Sequence, residues 1–267
     1  MSGLRHQKLT YELRGIIWEA RRRLKTGWPE DVYHQGVVQI LEEKGVPVMS
    51  KPRKMLVHRG IDVHLFECDL IARDLIILEL KSLPFTSFAS KHYAQIINYL
   101  KVWGKDLGLL VNFGPMRADI ERVAWDEPEF TVHEDYSAIG SEMIGKDRDC
   151  LSRLRESILA VGQQYGLGYS EVVYRTIAAI EFQHAALCCN TQVEVPARLD
   201  GRVLAHMSSD HLLIEDAYLL DIRALLDQPS VYEFARTKTY LNSLGLKHGF
   251  VVNFGKKQLQ IYGVSSD

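Results

Sequence analysis

The chain repeats itself, and that repetition limits its possible folds more than any other feature. "GWPEDVY", from Gly27, recurs as "GYSEVVY" from Gly168, 141 positions later, and both read G-x-x-E-x-x-Y. The same offset lays "YLKVWGKDLGLLVNFG" from Tyr99 over "YLNSLGLKHGFVVNFG" from Tyr240, with eight of sixteen positions identical. It also pairs "LRGII" from Leu13 with "LRESI" from Leu154. Self-similarity at one fixed offset marks a duplicated folding unit. The 267 residues therefore divide into two domains of ordinary size rather than one large one. We expect a first domain over 1–125, a linker over the polar, acidic, aperiodic stretch 126–149, and a second domain over 150–267.

Each copy presents its elements in the same order. In the first, Leu9, Leu13, Ile16, Ile17, Ala20 and Leu24 keep helical spacing, with "RRR" on the outer face. Gly27 and Pro29 interrupt that helix, and Pro29 suits the entry to a second one ending near Lys44. Strands are expected around 55–58, 63–70 and 75–80, with "ARD" as the tight turn between the last two. A third helical pattern covers about 90–103, followed by the apolar strand "LGLLVNF" and a final strand near 120–124. The order α-α-β-β-β-α-β implies an α/β sandwich with a mixed sheet in each half.

Composition narrows the function classes. With 46% hydrophobic and 25% charged residues the chain has material for real cores, which argues against disorder. A formal net charge of −2 provides no global attraction for nucleic acid, so such a surface has to be a local basic patch. Cys68, Cys150, Cys188 and Cys189 contain no Cys-x-x-Cys pair and suit thiols in a reducing compartment. The opening "MSGLRHQKLT" has no apolar signal core, and no stretch approaches a membrane span, so a cytoplasmic location is expected.

The chemistry concentrates in "LIILELKSL", residues 75–83, where Glu79 and Lys81 share one face at the end of an apolar run. Asp69 lies ten positions before Glu79, and a hairpin through "ARD" brings the two carboxylates together across the ladder. Carboxylates so placed repel unless a cation lies between them, and their oxygens suit a hard ion such as Mg²⁺ or Mn²⁺. Lys81 would then orient a water, help deprotonate it, or neutralise charge developing on phosphorus. The plain alternative is a strand-end ion pair, with Asp69 capping a turn.

This pattern resembles a known family. Asp69 followed by Glu79-Leu80-Lys81 is similar to the D…E-x-K signature of the PD-(D/E)XK nuclease superfamily. Gly27-x-x-Glu30-x-x-Tyr33, with "HYAQIINYL" and "LLVNFG" downstream, resembles the group within it called GxxExxY proteins, over nearly all of residues 9–125. The resemblance implies a restriction-endonuclease-like fold and Mg²⁺-dependent (or Mn²⁺-dependent) phosphodiester cleavage. It implies metal binding by Asp69 and Glu79, Lys81 acting on the water, Glu30 as an additional acid, and Gln95 as the accompanying helix residue. Tyr99, four residues after Gln95 on the same helix face, either contacts substrate or packs. Arg21 and Arg22 in "EARRRLK", with Lys51 and Arg53 in "SKPRK", either track a phosphate backbone beside this site or are ordinary solvated charge. Glu67 is either an extra ligand or an exposed edge residue.

The second copy departs from the signature. It keeps Gly168, Glu171 and Tyr174 but reads Asp221-Ile222-Arg223 where the first has Glu-Leu-Lys. Ten positions before Asp221 stands His211, with Asp210 beside it, and Arg236 replaces Gln95. Arginine is a permanent cation and cannot act as a base. The expectation is thus a nuclease acting on nucleic acid, DNA by family resemblance, with its site in the first domain. The second domain serves as a pseudo-dimer partner or substrate-holding surface, and the internal pairing favours a monomer. The competing expectation is an inactive nucleic-acid-binding or scaffold protein.

Overall fold

The structure, a computed structural model, describes residues 4–139 and 147–266. It groups into two compact units, 1–57 with 64–126, and 58–63 with 127–267. Both are mixed α/β units in which a sheet is flanked by helices.

In the first unit, α1 (Gln7–Leu24) and α2 (Glu30–Glu43) are joined by a short break. Gly27 there has φ 98°, a conformation costly for any residue with a Cβ, and its duplicate Gly168 has the same value. Tyr33 stacks on Phe113 with centroids 4.5 Å apart, and its hydroxyl donates to the Lys25 carbonyl at 2.8 Å. Tyr174 stacks on Phe254 at 4.1 Å and donates to Gly166 in the same way. The glycine and tyrosine of the repeated motif therefore shape the chain entering α2 in one unit and α5 (Glu171–His184) in the other.

The first sheet has the order β1-β4-β5-β6-β7. Its strands are β1 (Val48–Ser50), β4 (Leu70–Ala72), β5 (Ile76–Lys81), β6 (Leu107–Asn112) and β7 (Asp119–Ala124). β5 and β6 run parallel at the centre, connected through α3 (Ser90–Trp103), while the other pairs are antiparallel. Buried strands flanked on both faces need continuous apolar runs, and "IIL" in β5 and "LGLLV" in β6 supply them. Leu78, Leu80, Leu109 and Val111 pack with Leu13, Ile17, Tyr33 and Leu41 in one core. Each such side chain contributes about 1.5–3 kcal/mol on burial.

The strand expected over 63–70 is in fact two elements. β2 (Arg53–His58) and β3 (Ile61–Glu67) form a separate two-stranded ribbon, and the chain bends at Cys68 and Asp69 before β4. The Lys51 amide donates to the Asp69 carbonyl at 2.8 Å, which fixes the bend. Apolar periodicity did not show the break because Phe66, Cys68 and Leu70 are all buried through it.

The second unit repeats the plan, with sheet order β8-β15-β14-β13-β12-β9. Here β9 is Cys189–Asn190, β12 Leu212–Ile214, β13 Tyr218–Arg223, β14 His248–Phe254 and β15 Leu259–Ser265. The helices are α4 (Asp147–Tyr165), α5 and α6 (Val231–Leu244), and β10 (Val193–Leu199) pairs with β11 (Arg202–Ser209) in a ribbon. The stretch expected as linker differs from that expectation. β8 (Val132–Asp135) pairs parallel to β15 and extends the sheet, and α4 begins at Asp147. Residues 140–146 of that stretch lie outside the described ones. Among the described residues no helix is long and apolar enough to cross a membrane.

Candidate active site

The turn after β4 sets the register that builds the site. Arg73 and Asp74 both have positive φ, 50° and 54°, and the Leu75 amide donates to the Ala72 carbonyl at 3.0 Å. Two left-handed central residues give the tight hairpin turn whose twist matches flanking strands. Leu70 then pairs with Leu78, which carries Asp69 to the place opposite Glu79. Glu215 and Asp216 make the equivalent turn in the second unit, both with φ 52°.

Glu79 is 2% exposed, and its Oε1 accepts from Lys81 Nζ at 2.6 Å. Its Oε2 is buried with no hydrogen-bond partner among the described residues. Burial, and then the charge of Asp69, push the Glu79 carboxyl up to about 8 against the pull of Lys81. Asp69 Oδ2 accepts from the Leu80 amide at 2.7 Å, which aims its carboxylate along β5. His34 holds the same bend from α2, with Nε2 3.2 Å from the Asp69 carbonyl and 3.3 Å from Ser50 Oγ.

Lys81 Nζ lies 3.7 Å from Glu30 Oε1. Glu30, the first residue of α2, is raised by burial and by Asp69 despite Lys81. Burial disfavours the Lys81 ammonium, but Glu79, Glu30 and Asp69 together outweigh it and raise its pKa. The site thus sets three carboxylates around a single ammonium. Gln95 Nε2 donates to the Tyr99 hydroxyl at 2.9 Å, and Tyr99 is itself raised by burial and by the charge of Glu79. Tyr99 packs edge-on against Phe66 and Trp103, so packing is the reading its surroundings favour.

Asn112 is a further residue of this site, one that spacing around the carboxylates does not single out. It ends β6 beside Lys81; its Oδ1 accepts from the Leu83 and Gly114 amides at 2.8 and 3.0 Å, and its Nδ2 donates to the Phe85 carbonyl at 2.7 Å. These bonds fix the chain leaving Lys81. The signal was present, since "VNFG" stands in both copies and Asn253 binds the Leu225 amide and Asp227 carbonyl likewise. A Cβ added at Gly114 would lie 1.7 Å from the Leu83 carbonyl oxygen, whereas one at Gly255 meets nothing closer than 3.2 Å. Gly114→Ala should therefore lower stability by about 1–3 kcal/mol, from overpacking against backbone that cannot move aside. Gly255→Ala should cost less in a paired thermal melt. Equal melting temperatures would show that this close approach is not enforced.

The expected basic contacts divide. Arg21 is 7% exposed, and its guanidinium donates to the Phe113 and Pro115 carbonyls, so it is structural and not free for a phosphate. Lys51 and Arg53 are exposed but paired, with Asp31 at 2.8 Å and with Glu67 respectively. That bond turns Glu67 towards the ribbon, and the bend at Cys68 separates it from the Asp69 register. Arg22 is exposed.

In the second unit, Asp221 is 1% exposed and flanked by Arg236 at 2.9–3.0 Å and Arg223 at 2.8 Å. Arg223 also donates to Glu171 at 2.9 and 3.0 Å, and Asp210 lies 3.5 Å from Arg223 and 3.7 Å from Arg236. Two guanidinium groups fill the space among three carboxylates that the first unit leaves to one lysine.

A family model of the PD-(D/E)XK nuclease superfamily matches residues 7–123 and again 148–262. The chain belongs to that superfamily. The repeated match falls on the two units and agrees with a duplication. The comparison with curated proteins gave no match. Among solved structures, the chain is similar to one titled "Crystal structure of SSO0001", at 20% identity and a TM-score of 0.29. That match covers 36% of this chain and about half, 51%, of the other.

The residues present suit the divalent ion that such nucleases generally use. Glu79 Oε2 is an orphaned buried oxygen, and the Glu79–Asp69 repulsion is the kind a cation relieves. Among the described residues no three His, Cys, Asp or Glu side chains converge as a finished metal cage. Mg²⁺ does not require one, because it binds through one or two carboxylates and keeps several waters.

Proposed function

We propose that the protein is a Mg²⁺- or Mn²⁺-dependent nuclease of the GxxExxY type, that its first unit cuts nucleic acid, and that DNA is the substrate. The observation that carries this reading is the buried, unpartnered Glu79 Oε2 beside Asp69 and Lys81. Asp69 and Glu79 would hold the ion, with Glu30 as a further acid at the mouth. When bound, the ion supplies a polarised water and neutralises phosphate charge. In the ion-free site Glu79, Glu30 and Asp69 favour the Lys81 ammonium, which suits a role in donating hydrogen bonds and offsetting negative charge on the phosphate. Asn112 keeps the Lys81 strand end in place while the substrate binds.

The second unit has spent its carboxylates on Arg223 and Arg236, which supports a structural or substrate-holding role. Incubation of the full chain with end-labelled DNA should give Mg²⁺-dependent products that EDTA suppresses. Lys81→Ala should reduce the rate about 10²-fold, the lower range for one positioned catalytic group. No cleavage with either ion, alongside persistent salt-sensitive binding, would replace this reading with that of a non-catalytic nucleic-acid-binding protein.

A further inference from the structure

On the first unit, a cleft of about 490 Å³ is lined by Trp18, Arg22, Lys25, Met116 and Arg117, over the buried Arg21. None of its lining residues is acidic. The Arg14 and Arg117 guanidinium groups both lie over the Trp18 indole, 5.1 and 4.4 Å from its centroid. Arg22, Lys25 and Arg117 are exposed; neighbouring Arg23 is exposed as well but is paired with Glu19 and Glu43. Trp18 is half-buried and holds these guanidinium groups in place, and concentrated positive charge of this kind holds a nucleic-acid strand through its phosphates.

Its place in the fold links it to the candidate active site. The cleft's Met116–Ala118 wall follows β6, and Lys81 ends β5, so both lie at the carboxyl ends of the same parallel pair. The Lys25–Glu30 segment joins them: Thr26 donates to the Gly114 carbonyl and Ser82 to that of Trp28. Five residues of chain span at most about 18 Å, or about five nucleotide steps at 3.4 Å each.

The duplicate acts as an internal comparison. At the 141-residue offset, Trp18, Arg21, Arg22, Lys25 and Arg117 correspond to Leu159, Gly162, Gln163, Gly166 and Gln258. The Phe130 ring lies over Gly162, 2.5 Å from where a Cβ would stand. The four cationic positions of the cleft are thus neutral in the unit that lacks the Glu-Leu-Lys sequence, where Lys257 instead stands at the position of Met116.

We infer that Arg22, Lys25, Arg117 and Trp18 form a backbone-holding subsite for the nucleic-acid strand that runs to the Lys81 site. This rests on the nuclease reading above. The experiment is fluorescence anisotropy of the full chain with a labelled 20-mer duplex in EDTA, across a salt series. The Arg22→Gln, Lys25→Gln, Arg117→Gln triple variant should bind at least about tenfold more weakly, with the salt slope reduced by about 3, near one per lost phosphate contact. The charge-keeping Arg22→Lys, Arg117→Lys variant should retain the slope, and the Arg23→Gln control should shift it by less than one. Thermal melts of each variant identify any loss of fold, and the glutamines at 163 and 258 show that this fold accommodates them. An unchanged slope in the triple variant overturns the subsite, as does an equal effect in the control or no duplex binding by the unmodified chain. Mg²⁺-dependent cleavage, scored separately on the same duplex, reports whether the nuclease reading itself stands.

Discussion

Glu79→Gln is expected to reduce cleavage by about 10³-fold or more while making the ion-free protein more stable at pH 8 and above. The two effects have one cause. Glu79 is buried beside Asp69, and its carboxyl is pushed up to about 8 from an ordinary value of 4.5. The folded state therefore binds this proton more tightly than the unfolded chain does. The stability this contributes is complete below about pH 4.5 and is lost as pH rises towards 8, at up to about 1.4 kcal/mol per pH unit. Glu30, also raised, adds a weaker slope of the same sign that the variant keeps. Glutamine preserves the shape and the hydrogen bond without the charge, so the pH slope of ion-free stability should flatten. Mg²⁺ requires the ionised carboxylate, so it should raise the melting temperature of the unmodified chain increasingly from pH 6 to 8 and leave the variant unmoved. Parallel stability–pH curves for the two proteins would remove the buried-acid assignment.

The fold was largely legible because duplication made the sequence its own comparison. The helices at 7–24, 30–43 and 90–103, and the central strands of "LIILELK" and "LGLLVNF", follow from apolar periodicity that packing requires in any case. The bend at Cys68 and Asp69 was not legible. It is made by a long-range hydrogen bond from Lys51 and by His34, and neither leaves a local trace. β8 was hidden similarly, since an edge strand with a half-exposed sequence such as "VHED" depends on β15 for its existence.

At the candidate site, spacing identified the register that sets Asp69 opposite Glu79, because a two-residue turn joins their strands. It did not identify which arginines were free. Arg21 and Arg22 are adjacent in the same basic run, yet one is buried on two carbonyls and the other is exposed. That difference lies in the helix face and in the Phe113–Pro115 segment nearly a hundred residues away, which charge counting cannot register.

The second large effect is expected in the other unit. Arg236→Gln, which installs the residue found at position 95, should destabilise it by about 2–3 kcal/mol by leaving Asp221 short of a partner in a buried site. Asp221 is 1% exposed and draws on Arg236 through both carboxylate oxygens, with Arg223 at 2.8 Å and the buried His211 ring at 3.7 Å as its other basic neighbours. A loss near the lower end of the usual range for a broken buried pair follows because Arg223 stays. Arg236→Gln with Asp221→Asn should recover much of the loss, since an amide has no charge left to compensate. The single variant also approaches the first unit's charge pattern, with Arg223 as the one guanidinium among three carboxylates and the His211 ring beside them. Mg²⁺ or Mn²⁺ should then stabilise it beyond any effect on the unmodified second unit, read as a shift in that unit's melting transition by hydrogen exchange of β13 and β14 amides. A single variant as stable as the parent chain would mean that Asp221 is protonated or solvated in place, and that the two arginines do not occupy the site for its sake.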